Sequence, residues 1–255
     1  MINIRTTQEI ELLREAGRIV AKTHEYLKQF IKPGITTKEL DKLAEKFIIS
    51  CGATPSFKGL YGFPGSICIS LNDMVIHGIP DNTTLKEGDV IKLDIGACYK
   101  GYHGDSAWTY GVGQISDEAK YLMQVTHDAL FAGLAQAKPG NRVGDISAAI
   151  EEYVASHGCT SPYDYTGHGV GTSVHEDPNV PNYGRKGKGP KLKVGMVIAI
   201  EPMVHLGEAD DLMNKFNWIK VTLEAEKGKK GDIYANRDLD SQPVYFSPSK
   251  SKKKD

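Results

Sequence analysis

Leu85-Lys86-Glu87-Gly88-Asp89-Val90-Ile91-Lys92-Leu93-Asp94 returns further along the chain as Leu192-Lys193-Val194-Gly195-Met196-Val197-Ile198-Ala199-Ile200-Glu201, offset by 107 residues. The offset lays Glu201 on Asp94. Upstream, Lys32-Pro33-Gly34 is echoed by Lys138-Pro139-Gly140 at an offset of 106. In each copy a long amphipathic segment precedes the Lys-Pro-Gly, and a shorter one follows and stops at Gly52 or Gly158. Two copies of one helix-helix-strand unit imply an α+β domain with a pseudo-twofold axis. Each half then sends an acid from the end of an apolar strand toward a shared centre, and converging acids suit metal ions.

The rest of the composition narrows the class. With 255 residues the chain is long enough to bury a substantial core. Its 31 basic and 32 acidic residues give no global electrostatic case for nucleic acid or membrane. The longest apolar runs, such as Met196 to Ile200, are far too short to span a bilayer. Met1 to Thr6 does not read as a signal peptide, because a polar amphipathic helix follows at once. Cys51, Cys68, Cys98 and Cys159 lack Cys-x-x-Cys spacing and read as reduced thiols, so a cytoplasmic location is expected.

Thr6-x-x-Glu9 is a capping box opening a helix with Ile10, Leu13, Ala16, Val20 and Leu27 on one stripe. Thr36-x-x-Glu39 opens a second, with Leu40, Leu43, Ala44 and Phe47 inward. Strands are expected at Ile67–Leu71 and Met74–Gly78 around an Asn72-Asp73 turn. Val90–Ala97 should pair with Tyr102–Tyr110 across Lys100-Gly101. Ser116 caps the third helix, with Tyr121, Leu122, Val125, Leu130 and Leu134 inward, and Val143–Ser156 is its partner. Strands return from Pro162 to Leu223 around Gly184-Arg-Lys-Gly-Lys-Gly-Pro190. No Gly-Lys-Ser/Thr follows that segment, so it reads as a solvated loop and not a phosphate cradle. The expected organisation is one catalytic domain over 1–223 (repeats about 7–113 and 116–223), a segment over 224–246 that departs from the pattern, and a basic disordered tail over 247–255.

Several residues stand out chemically. Asp94 and Asp105 bracket the Leu93-to-Ser106 hairpin, where they can share one face of the sheet, and adjacent carboxylates need a cation or a proton between them. Glu201 follows one of the most apolar stretches in the chain, where a glutamate is costly unless paired or bound to metal; a buried salt bridge is the plainer alternative. His168 lies in Thr166-Gly-His-Gly-Val-Gly171, His175 in His175-Glu-Asp-Pro178 and His77 in Val75-Ile-His77-Gly-Ile-Pro80. Taken alone, a histidine after an apolar pair is more often a satisfied core residue than a functional one. His24, His127 and His157 fall on helices, and nothing specific distinguishes His103 or His205. One imidazole with several carboxylates suits Mn, Fe, Co or Zn, and a shared Asp and Glu suit a two-metal hydrolytic site.

Together these motifs, with Leu93-Asp94-Ile-Gly-Ala, Tyr102-His-Gly-Asp105 and Ala199-Ile-Glu201-Pro-Met203, closely resemble type I methionine aminopeptidase from the first helix through Trp218. The resemblance implies the pita-bread fold, with two pseudo-symmetric halves around a central antiparallel sheet. It also implies two divalent ions, and hydrolytic removal of the initiator methionine from nascent chains when the second residue is small. By resemblance, Asp94 chelates one metal, Asp105 and Glu201 reach both, and His168 ligates one of them. By the same resemblance, Glu201 or the family's fifth acid shuttles a proton and His77 meets the substrate near its amino end. His175 then steadies the carbonyl oxygen, and Phe63, Cys68 and Trp218 line the methionine pocket. The resemblance further implies a monomer acting at the ribosome, with neither a type II insertion nor an extension before residue 1.

One part departs from the pattern. The family carries a fifth ligand, a glutamate followed by His-Thr, and no Glu-His-Thr exists here. Asp232 falls where that glutamate should be, but its neighbours do not match, and Glu224 and Glu226 read as surface charge. Losing one bridging acid should weaken the second metal most. The altered C-terminus also motivates an alternative, a catalytically impaired homologue that binds peptide or ribosome. A relative cleaving Xaa-Pro bonds ranks lower, since that group carries a large N-terminal domain.

Overall fold

The computed structural model describes residues 1–163 and 165–206 in full, and beyond them the backbone of three strands. The chain divides into two units, Met1–Leu206 and Gly207–Asp255. The expected 1–223 domain runs across that division.

The first unit repeats one plan. Its first half contains α1 (Thr7–Lys28), α2 (Thr37–Ser50), β1 (Thr54–Pro55), β2 (Cys68–Leu71), β3 (Val90–Tyr99) and β4 (Tyr102–Gly111). Its second half contains α3 (Asp117–Leu134), α4 (Val143–Ser156), β5 (Cys159–Thr160), β6 (Thr166–Gly169), β7 (Glu176–Pro181), β8 (Ile198–Ala199) and β9 (His205–Leu206). The repeat extends to individual hydrogen bonds. Gly34 N–H donates to Leu85 O and Gly140 N–H to Leu192 O. Isolated bridges join Thr36 to Thr84 and Arg142 to Lys191. The capping boxes at Thr6/Glu9 and Thr36/Glu39 form as the sequence implies, and Ser116 accepts from Ala119 N–H to open α3.

All paired strands are antiparallel. In the first half the order is β1-β3-β2, with β4 also on β3; in the second it is β7-β6-β8, and β5 pairs with β9. Lys100 (φ 50°) and Gly101 (φ 83°) make the turn between β3 and β4, two left-handed residues as a tight hairpin requires. Strand alternation decides what the hairpin presents. Ile91, Leu93, Ile95 and Ala97 are buried in a core shared with Val20, Leu27, Leu40 and Ile48 of α1 and α2. Asp94 and Gly96, at the alternate positions, belong to the opposite face. The second half has its own core, built from Val125, Ala129, Ile146, Ile150, Val154, Val180 and Leu192.

Two expectations fail here. Met74–Gly78 forms no strand. Asn72 (φ 48°) and His77 (φ 60°) both turn left-handed, which breaks an extended ladder, and the segment keeps only its ends on β2, Met74 N–H donating to Leu71 O and Gly78 O accepting from Ile69 N–H. On α3, Tyr121 and Leu134 are exposed, and the buried stripe is Val125, Ala129 and Gly133. The helices approach so closely that a Cβ on Gly133 would lie 2.8 Å from Ile150, so small residues face α4 where size had suggested the large ones.

In the second unit, β10 (Trp218–Glu224), β11 (Lys230–Asn236) and β12 (Tyr245–Ser247) form an antiparallel sheet in the order β10-β11-β12. Thr222 is the register partner of Asp232. Glu226 and the tail after Ser247 lie outside the described residues, as do the side chains of Trp218, Glu224 and Asp232.

Candidate active site

The β3–β4 register sets the first two acids. Asp94 pairs with Ala107 and Asp105 with Gly96, so the carboxylates are diagonal neighbours on one face. The Asp94 carboxyl shares a hydrogen bond with Asp105. From the second half, β6 is bulged between Gly167 and Gly169, and His168 occupies the irregularity. A bulge re-aims the residue it carries, and His168 Nε2 comes within 3.5 Å of Asp105 Oδ2 and 3.2 Å of Glu201 Oε1. The other ring nitrogen, Nδ1, lies 2.8 Å from Gly169 O. A carbonyl only accepts, so Nδ1 carries a proton and Nε2 faces the acids, the nitrogen left to ligate an ion that displaces any proton held there. Glu201 stands two residues past the short β8, its backbone carbonyl accepting from buried Asn182 Nδ2 at 2.7 Å.

The electrostatics follow from this crowding. Burial, then the charges of Asp105 and Glu201, push the Asp94 carboxyl well above the carboxylate range. Burial and Asp105 raise Glu201 to about 7, against the pull of His168. Burial would lower His168, but Asp105 and Glu201 outweigh it and the imidazole is raised. His77 is lowered by burial and then by His175, and His175 by burial and then by His168, so both imidazoles are held neutral. The His168 and His175 rings lie 4.5 Å apart edge to face, and His77 sits edge to face with Tyr165 at 6.4 Å. Among the described residues, His77 is one of four non-glycine residues with a left-handed backbone, a strain typical of functional positions.

An apolar floor adjoins the acids. Cys68 is the β2 register partner of Asp94, and it packs with Phe57 and Val174, flanked by Leu60 and Phe63. Burial and then the negative charge of Asp94 push its thiol up, so it stays a neutral apolar group. Tyr61 is exposed and left-handed (φ 50°), its ring 6.4 Å from His175 and nearly parallel to it. Thr166, His168, His175, Glu176, Asp177 and Asn179 line an adjoining cleft of about 340 Å³.

Among the described residues, no three His, Cys, Asp or Glu donors are already drawn tightly enough to cage an ion. The donor set nevertheless fits a divalent cation. Three carboxylates and an imidazole nitrogen converge, two of the carboxyls resist ionising without a compensating charge, and buried Glu201 Oε1 has no hydrogen-bond partner. Asp94, Asp105, His168 and Glu201 thus come together as read, with His77, His175, Cys68 and Phe63 around them. Trp218 lies where no side chain is described. Sequence reading passed over Phe57, Leu60 and Val174 in the floor, Tyr61 at the mouth, and Asn182 behind Glu201. The apolar run at Leu60–Phe63 was the one available signal.

Acids from two half-domains around an imidazole, beside an apolar floor and neutral histidines, define a metal-dependent hydrolase. The chain belongs to metallopeptidase family M24, whose model matches residues 11–227. Within that family it is similar to methionine aminopeptidases over most of its length. It is 55% identical over 227 residues to methionine aminopeptidase 1 of Bacillus subtilis, covering 89% of this chain and 92% of that one. It is 50% identical over 236 residues to methionine aminopeptidase of Clostridium perfringens, covering 92% and 94%. The crystal structure of methionine aminopeptidase from Rickettsia prowazekii matches with a TM-score of 0.81 at 34% identity, covering 96% of this chain and 99% of that one. The fold is therefore the pita-bread fold.

Proposed function

We infer that this chain is a metal-dependent methionine aminopeptidase that removes the initiator methionine from new protein chains. The observation that carries the reading is the meeting of Asp94 and Asp105 with His168 and Glu201 beside the Phe57–Cys68–Val174 floor. A divalent ion bound there supplies Lewis acidity and lowers the pKa of water. The protein's own groups do the rest. The floor binds the methionine side chain, with neutral Cys68 and the Phe57 and Phe63 rings suited to a thioether. His77 receives the substrate near its amino end, and its neutral imidazole accepts a hydrogen bond from the amine or donates one to the carbonyl without adding charge. His175 donates to the carbonyl oxygen as negative charge grows there, a contribution of about 3 kcal/mol in comparable sites. Glu201, beside Asp105 and His168, is the carboxylate read as holding the ion and passing a proton during turnover.

The same proposal includes two ions drawn from Co, Mn, Fe or Zn, the second held more weakly for want of a matching fifth acid. It further includes a preference for a small second residue, and a cytoplasmic monomer meeting nascent chains at the ribosome. The decisive experiment is methionine release from a Met-Ala-Ser peptide, with Mn or Co titrated into metal-stripped protein. Turnover that disappears in Asp94→Ala is the expected result. Folded protein that releases no methionine at any metal concentration overturns the reading and favours a peptide-binding homologue.

A further inference from the structure

Arg5 precedes α1 and has no part in the chemistry above, yet its strongest contacts go to the second half. Its backbone N–H donates to Gly195 O at 2.8 Å, in the turn that leads to Glu201. Its guanidinium reaches both oxygens of Glu176, with Nη2 2.6 Å from Oε1. Both contacts come from Nη2, and the two side chains are only 9% and 10% exposed, so this is a buried ion pair and not a surface one. Nη1 lies 3.6 Å from Glu9 Oε1, which accepts from Tyr102 OH at 3.1 Å; Tyr102 opens the strand that bears Asp105.

Glu176 is the hub of the turn that carries His175. Besides Arg5, its carboxylate accepts from Asn3 Nδ2 (2.7 Å), Ser173 N–H (3.2 Å) and Thr172 Oγ1 (3.3 Å). Gly171 begins the turn, donating to Ser173 O and accepting from His103 N–H of β4. Arg5 lies directly over it, and a Cβ on Gly171 would come within 1.9 Å of Nη2. The glycine that closes the Thr166–Gly171 motif therefore makes room for an arginine more than 160 positions away.

We propose that Arg5 is a positioning residue for His175. Its buried ion pair with Glu176 sets the Gly171–Asp177 turn against the hairpin, and so sets the His175 imidazole relative to His168 and Asp105. The planar guanidinium is suited to this and a lysine is not, because Nη2 holds Glu176 while Nη1 of the same rigid plane faces Glu9, two directions a single ammonium does not fix together. The proposal rests on the reading of His175 as the group that meets the substrate carbonyl.

A double-mutant cycle on the full, metal-loaded chain tests it, using a Met-Ala-Ser peptide. Arg5→Ala should lower kcat about tenfold with KM changed less than about twofold, since a misplaced donor is missed mainly in the transition state. Arg5→Lys should recover only a small part. In a His175→Ala background the same Arg5→Ala change should cost less than about twofold. If Arg5→Ala does not fold, Glu176→Gln replaces it with the same expectations. A loss that persists undiminished without His175, or an unchanged kcat, overturns the positioning role and leaves the peptidase reading intact. A His175→Ala enzyme with full kcat removes the role of His175 itself, and the proposal with it.

Discussion

Asp94 sits on β3 with a carboxyl that burial, Asp105 and Glu201 together push well above its usual range. A carboxyl raised in the folded state lends stability only at low pH and loses it as pH rises, so at neutral pH this group opposes folding until a cation offsets it. Asp94→Asn should therefore raise the melting temperature of chelated protein by a few degrees, while abolishing both turnover and any stabilisation by added Mn; calorimetry with and without chelator reads both. His24 is the opposite case. Buried between α1 and β4, it donates from Nε2 to Ser106 O at 3.0 Å and accepts at Nδ1 from Tyr110 OH at 3.2 Å, and burial lowers it from 6.5 to about 4. Its contribution is intact above pH 6.5 and is lost as pH falls from 6.5 to about 4, by about 3 kcal/mol. His24→Gln should flatten the stability slope across that window, as measured by urea unfolding at stepped pH.

At the scale of elements, the hairpin and the short β8 hold their acids differently. Asp94 and Asp105 stand within two ten-residue strands with a continuous register. Glu201 follows a strand of two residues and depends on Asn182, which is fully buried and donates to its carbonyl. Asn182→Ala should cost about 1–2 kcal/mol of stability and weaken Mn binding, seen by calorimetric titration, whereas a conservative change on an outer face of β4 should do neither. Close packing of α1 on β4 yields a second expectation. A Cβ on Gly104 would lie 2.6 Å from the backbone of Ala16 and Gly17, so Gly104→Ala must push helix and hairpin apart. A destabilisation of about 1–3 kcal/mol is expected in denaturant unfolding, with kcat falling because Asp105 is the next residue.

Across the first unit, two separate cores lie beneath one site. Two of the proposed ligands come from each half, so a bound cation joins halves that otherwise meet through contacts such as Arg5–Glu176 and His103–Gly171. Chelation should lower the melting temperature, and reloading should restore it by an amount that grows with the logarithm of metal concentration. In Asp94→Ala that dependence should be largely gone.

What the sequence determined by itself was whatever repeats or is local. The 107-residue echo specified two halves, and capping boxes opened the first two helices where they were read. Strand alternation put Asp94 and Asp105 on one face. The four convergent donors were legible because each stands in a distinctive local motif. Tertiary structure alone decided the rest. That small residues of α3 face α4, that Met74–Gly78 turns instead of pairing, and that Phe57, Leu60 and Val174 share one floor all follow from packing. Asn182 and Arg5 gain their places from a backbone carbonyl and a carboxylate brought near by the fold. Short-range hydrogen bonds and periodicity are written in neighbouring residues, whereas burial and contact between distant positions exist only once the chain has closed on itself.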